Sequence, residues 1–161
     1  MPDTAIELDF GPGTFRFWLP LPQVVELERN CGAQRIGDTP GVPKSMLLIY
    51  DQLSGGLAVD GGNPVYLGGG SAILKDVREV VRLALIGGNS GMIDGEQVEV
   101  GPIRAKELVD EYLYPARPLV EGVFLARSIL HAAINGISLK KKVTDEPEKP
   151  TTRRRRSARA R

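Results

Sequence analysis

Apolar residues recur along this chain with the period of a helix, most clearly from Asp76 to Gly91, which reads DVREVVRLALIGGNSG. Val77, Val80, Val81, Ala84 and Leu85 follow the i, i+3, i+4, i+7, i+8 spacing that lines one side of a helix, and such a stripe needs a partner to bury against. Gly87 and Gly88 are expected to stop this helix, because glycine takes the left-handed conformation without steric cost. Two later patterns, Ile103–Tyr112 and Leu119–Ile134, carry matching stripes, and the three are expected to pack as one unit. In the last of them Leu119, Val123, Phe124, Leu130 and Ile134 form the expected buried stripe, which only Arg127 interrupts.

Before these helices the pattern changes. Ala5–Phe10 and Thr14–Leu19 are rich in strand formers and flank Gly11-Pro12-Gly13, a connection of hairpin length. A two-stranded hairpin is marginal in water, so it is expected to pack on the helices. Pro22 suits a first helical turn, Val24, Val25 and Leu27 follow, and Gly32 closes a short helix. Met46, Leu47, Ile49, Tyr50 and Leu53 fit another, ended by Gly55-Gly56. The glycine-rich stretch 55–71 reads as an insertion. It is compatible with a small hairpin turning at Asp60-Gly61-Gly62-Asn63, or with a mobile loop. Asn89–Val100 reads as a polar connector with a short extended piece at Gln97–Val100, and Gly101-Pro102 opens the next helix.

The pattern therefore predicts an α+β chain, mainly α: an N-terminal β-hairpin packed on a bundle of about four to five helices. Residues 1–139 are expected to form one globular domain. No apolar run approaches the roughly 18 residues that span a bilayer, and the first ten residues lack the plan of an export signal. A soluble, unexported protein without membrane contact is expected. The single Cys31 cannot form an internal disulfide.

Charge alters this picture at one end. Residues 1–139 hold 11 Lys/Arg against 17 Asp/Glu, a net of −6, whereas residues 140–161 hold 10 against 3, a net of +7. The terminal segment has too few apolar residues to offset the entropy of ordering and is expected to be a disordered basic tail. Its Arg153, Arg154, Arg155 and Arg156 could neutralise nucleic-acid phosphates or touch acidic surfaces. No aromatic residue is interleaved to stack on bases, so nucleic acid is a possible but not a favoured partner.

Candidate chemistry is sparse. One histidine, His131, and one cysteine cannot build the usual zinc sets, and His131 near a helix C-terminus reads as structural or surface. Cys31 has no nucleophile signature around it. The clusters Gly68-Gly69-Gly70 and Gly87-Gly88-Asn89-Ser90-Gly91 lack a following Lys-Ser or Lys-Thr, and the second comes after a helix, so a phosphate loop is not indicated. Asp76, Glu79, Glu107, Asp110 and Glu111 fall beside Arg78, Arg82, Arg104 and Lys106, as solvated helix faces do. No catalytic residue, cofactor, metal or small-molecule substrate is expected.

A hairpin, then LPLPQVVELERNCG, DVREVVRLALIGG, AKELVDEYL and RPLVEGVFLARSILHAAING, in that order over Ile6–Ile137, resembles a small protein of gene transfer agents and related long-tailed phages. That family is described as tail tube or tail assembly chaperone proteins. The corresponding segments are Val24–Gly32, Asp76–Gly88 and Pro118–Gly136, with Pro118-Leu119-Val120-Glu121 as the strict match; the glycine-rich insertion and the basic tail depart from the pattern. The resemblance implies a non-enzymatic chaperone that coats the tape-measure protein and brings tail tube subunits to it. Such a protein acts in the cytoplasm of the bacterial host and need not stay in the mature particle. A structural role in the tail tube and a nucleic-acid accessory role through the tail are the alternatives. A partner's amphipathic helix would enter an apolar groove, with Phe15, Phe17, Trp18, Tyr112 and Tyr114 as candidate anchors, although aromatic residues in such a pattern are more often core.

Overall fold

The computed structural model describes residues 3–137; the basic tail and Arg153–Arg156 lie outside the described residues. The elements run β1 (Ile6–Phe10), β2 (Gly13–Phe17), α1 (Leu21–Cys31), α2 (Met46–Ser54), β3 (Leu57–Asp60), β4 (Asn63–Tyr66), α3 (Leu74–Gly88), β5 (Gly91–Ile93), β6 (Glu96–Val98), α4 (Pro102–Tyr112) and α5 (Leu119–Asn135). The fold is α+β and mainly α, with the N-terminal hairpin laid on the helices. The glycine-rich stretch forms the hairpin β3–β4, with Gly61 and Gly62 both at positive φ in its turn.

Helix α3 is the axis of the molecule. Its stripe is fully buried, Val77, Val80, Val81, Ala84 and Leu85 each being at most 2% exposed, and α1, α4, α5 and β2 all pack on it. One core joins these residues to Phe10, Phe15 and Phe17 of the hairpin, Leu27 of α1, Ile49 and Leu53 of α2, Leu108 of α4, and Ile129 and Leu130 of α5.

Three expectations need correction. Gly87 and Gly88 do not stop α3; they are its last residues, neither has a positive φ, and the left-handed residue is Asn89, at φ +46°, whose N–H donates to the Leu85 carbonyl. The glycines are there because β2 crosses the helix at backbone contact. A Cβ on Gly87 would run into the Trp18 carbonyl oxygen, and one on Gly88 into that of Arg16. The Trp18 N–H donates to Ala84 O and the Arg16 N–H to Ser90 O, both at 3.0 Å, so strand and helix are stitched by main chain.

The polar connector after α3 is the hairpin β5–β6, whose turn residues Asp94 and Gly95 both have positive φ, as a two-residue turn matched to strand twist requires. β5 pairs antiparallel with β2, so the N-terminal hairpin extends into a four-stranded sheet of order β1-β2-β5-β6.

In α5 Leu130 of the expected stripe is buried, but Val123, Phe124 and Ile134 are only half-buried and Leu119 is 40% exposed, while the other buried positions are Gly122, Ala126, Ile129 and Ala132. This helix packs on both α3 and α2, so its buried face lies between them, and small residues there let the axes approach.

Candidate protein-binding groove

The carboxylates of α3 show first what the site is not. Asp76 and Glu79, expected on a solvated face, are 2% and 7% exposed, because α1 and the segment leading into α2 lie across them. Lys44 Nζ reaches Asp76 Oδ2. Glu79 accepts from Arg82 Nη2 at 2.7 Å and from Asn30 Nδ2 at 3.1 Å. Burial opposes ionisation of Glu79, yet these hydrogen bonds outweigh it and hold the carboxyl below its ordinary range. Next to this network burial, and then Asp76, push the Cys31 thiol up to about 12, so it stays a protonated thiol at neutral pH. The cluster is an internal brace that clamps α1 and the start of α2 onto α3, where Glu28 Oε2 also accepts the Met46 N–H at 2.8 Å. Glu107, Asp110 and Glu111 do lie on an exposed face.

The apolar surface left open lies at the other end of the helical unit. Leu74 in the first turn of α3, Leu113 and Tyr114 just after α4, and Leu119 in the first turn of α5 frame a cleft of about 200 Å³ whose floor is Val77, Val109 and Gly122. Leu74 and Leu119 are also the wall of a second cleft, of about 170 Å³, running toward Leu57 and Tyr66 of β3–β4. The two make one continuous groove. Leu74 is 51% exposed and Tyr114 55%, and Ile73, Tyr66 and Leu67, all at least half exposed, continue the patch. Leu74 lies on the apolar stripe of α3 one turn before Val77, where Leu119, Val120 and Val123 of α5 flank it without covering it. Gly122 sets the depth, since a Cβ there would stand 3.0 Å from Leu113 Cδ1.

One rim of the groove is charged. Arg78 Nη2 donates to Asp110 Oδ1 at 2.9 Å, tying α3 to α4, and Lys106 Nζ donates to Asp110 Oδ2 at 2.7 Å. Hydrogen bonds from Lys106 and Arg78 hold the Asp110 carboxyl below its ordinary range.

Of the five candidate anchors, only Tyr114 lines the groove. Phe15 and Phe17 are at most 1% exposed, Phe17 meeting the edge of Phe10 with ring centres 6.1 Å apart; as core residues they present nothing to a partner. Tyr112 is half-buried against Phe10 at the hairpin turn. Trp18 lies apart, its Nε1 donating to Thr4 Oγ1 at 3.0 Å and its ring under the Arg16 guanidinium. Leu74 and Leu119 were the missed residues, and the available signal was that each sits at the overhanging first turn of an apolar stripe. Among the described residues no group of three or more His, Cys, Asp or Glu could hold a metal ion, and no helix is long and apolar enough to cross a membrane. No protein-family model, curated protein or solved structure matches this chain.

Proposed function

We propose that this protein is a non-enzymatic tail assembly chaperone of a phage or gene transfer agent, which holds the tape-measure protein and helps recruit tail tube subunits to it. The observation that carries this reading is the open apolar groove framed by Leu74, Tyr114 and Leu119. An amphipathic helix offers apolar anchors at i, i+3, i+4 and i+7, and a groove between helices with a charged rim is a surface that such a helix fits. The order of the helical segments along the chain points the same way. A tape-measure protein is long and helical, and until it is enclosed in a tube its apolar faces need cover.

The test is co-expression with the tape-measure product of the same genome, whose gene is expected just downstream, with the tube gene upstream. The soluble yield of the tape-measure protein rises, and the two co-purify. The double variant Leu74→Glu/Leu119→Glu changes partly exposed residues, keeps its fold by circular dichroism, and weakens the complex by at least about 2 kcal/mol, the cost of losing an interface hot spot. No rise in yield with no co-purification, or a double variant that binds as well as the parent, overturns the reading. A second reading, a structural subunit of the tail tube, is favoured by the four-stranded sheet, whose outer strands β1 and β6 each pair on one side only among the described residues. Stoichiometric abundance in purified particles would select it.

A further inference from the structure

Away from the groove, later turns of α5 form a cleft of a different character. Its volume is about 270 Å³, and Arg127, Ser128 and His131 line it together with the apolar Ile6, Ala132 and Ile137. No carboxylate is among these residues. We propose that this cleft binds the phosphate group of a small phosphate ester, with the Arg127 guanidinium and His131 Nε2–H as the donors.

The neighbours of each donor support this. Arg127 Nε donates to Ser54 Oγ at 3.1 Å, and the guanidinium lies 5.8 Å from the centre of the Tyr50 ring. One edge of the fork is thereby fixed, and its terminal nitrogens are left to present paired donors, the arrangement that suits an oxyanion. Among the described residues Arg127 has no acidic partner in an ion pair, unlike Arg78, Arg82 and Arg104. His131 Nδ1 receives the Asn135 amide nitrogen at 3.2 Å and lies 3.0 Å from the Tyr50 hydroxyl. An amide nitrogen can only donate, so Nδ1 is an acceptor, and the neutral ring carries its proton on Nε2. Arg127 and His131 are four residues apart on one helix and so share a face. A carboxylate would occupy the fork alone. A phosphate has a further oxygen for the imidazole, and the apolar floor can take the ester's organic part.

His131 is the only histidine in the chain, so its imidazole resonances report on the cleft without ambiguity. The full-length protein is titrated with inorganic phosphate at constant pH, with sodium chloride balancing ionic strength. A saturable shift is expected, with a dissociation constant on the order of a millimolar for so small a ligand; adenosine 5′-monophosphate binds at least as tightly. Arg127→Met keeps an unbranched side chain at this half-buried position and weakens phosphate binding about tenfold or more. Should that variant unfold by circular dichroism, His131→Ala, at an exposed position, is measured by calorimetry and is expected to lose several-fold in affinity. A non-saturable shift, or binding unchanged in the folded variant tested, overturns the proposal. An oligonucleotide lacking terminal phosphates that binds more tightly than adenosine 5′-monophosphate, through Arg127, overturns the choice of a small ester in favour of nucleic acid. These residues are distinct from Leu74, Tyr114 and Leu119, so either site can fail without the other.

Discussion

At Glu79 burial and hydrogen bonding pull in opposite directions, and the hydrogen bonds win. Its folded-state ionisation therefore lies below the ordinary 4.5, so the stability it contributes is fully present above about that pH and is lost as pH falls through the lower folded value. Thermal melts between neutral pH and pH 3 are expected to show a steeper acid loss for the parent than for Glu79→Gln. At pH 7 the variant is less stable by about 2 kcal/mol, because Arg82 and Asn30 lose a charged acceptor at a site with little water. Equal pH slopes for the two proteins would contradict this account. The pairing itself was not legible in the chain. Glu79 and Arg82 look like an i, i+3 surface pair, and only the long-range approach of Asn30, 49 residues earlier, turns that face into an interior. Periodicity marks which residues are apolar but is silent on whether a second layer covers the polar side.

At the scale of elements, the seam between β2 and the end of α3 is main chain against main chain. Gly88→Ala puts a methyl against a carbonyl that is itself held in a strand, so relief requires a backbone shift. The expected cost is about 3 kcal/mol, at the upper end for overpacking. Gly101→Ala, with open space at its Cβ, is expected to stay within about 0.5 kcal/mol; urea denaturation of the two variants measures the contrast. Helices α1 to α5 could be read from apolar spacing, and the first hairpin from its turn. The role of Gly87-Gly88 could not, because a glycine at a helix end has two physical uses, conformational freedom and lack of bulk, and the chain alone does not say which one is in play. Asp94-Gly95 did carry a legible hairpin signal, but the strands it joins are three residues each and mostly polar outward, too short to show alternation.

Across the whole molecule, burial is uneven. The core runs through α3, β2 and the inner faces of α4 and α5, whereas none of the residues of β3–β4 is buried. Hydrogen exchange should therefore find its most protected amides in the middle of α3, with β3–β4 exchanging through local opening at far lower free energy; uniform protection would argue that this hairpin is part of the cooperative unit. The groove follows from the same unevenness, since it forms where three helices begin or end out of step and the small hairpin reaches only part of the gap. Its individual residues were visible in the chain, but their convergence depends on helix registers that no local pattern encodes.

The close passage of β2 over α3 bears on how kin of this chain could be found where overall similarity has faded. Side chains that merely fill space can be exchanged for others of like volume, but a crossing with no room for a β-carbon admits no substitute. Descendants that keep this crossing are therefore bound to spell two adjacent glycines after an apolar stripe, followed by a residue at ease in the left-handed region. Upstream they must carry a strand that alternates bulky aromatics with outward polar groups, as Phe15, Arg16 and Phe17 do here. That short grammar is a sharper filter than identity over the full length.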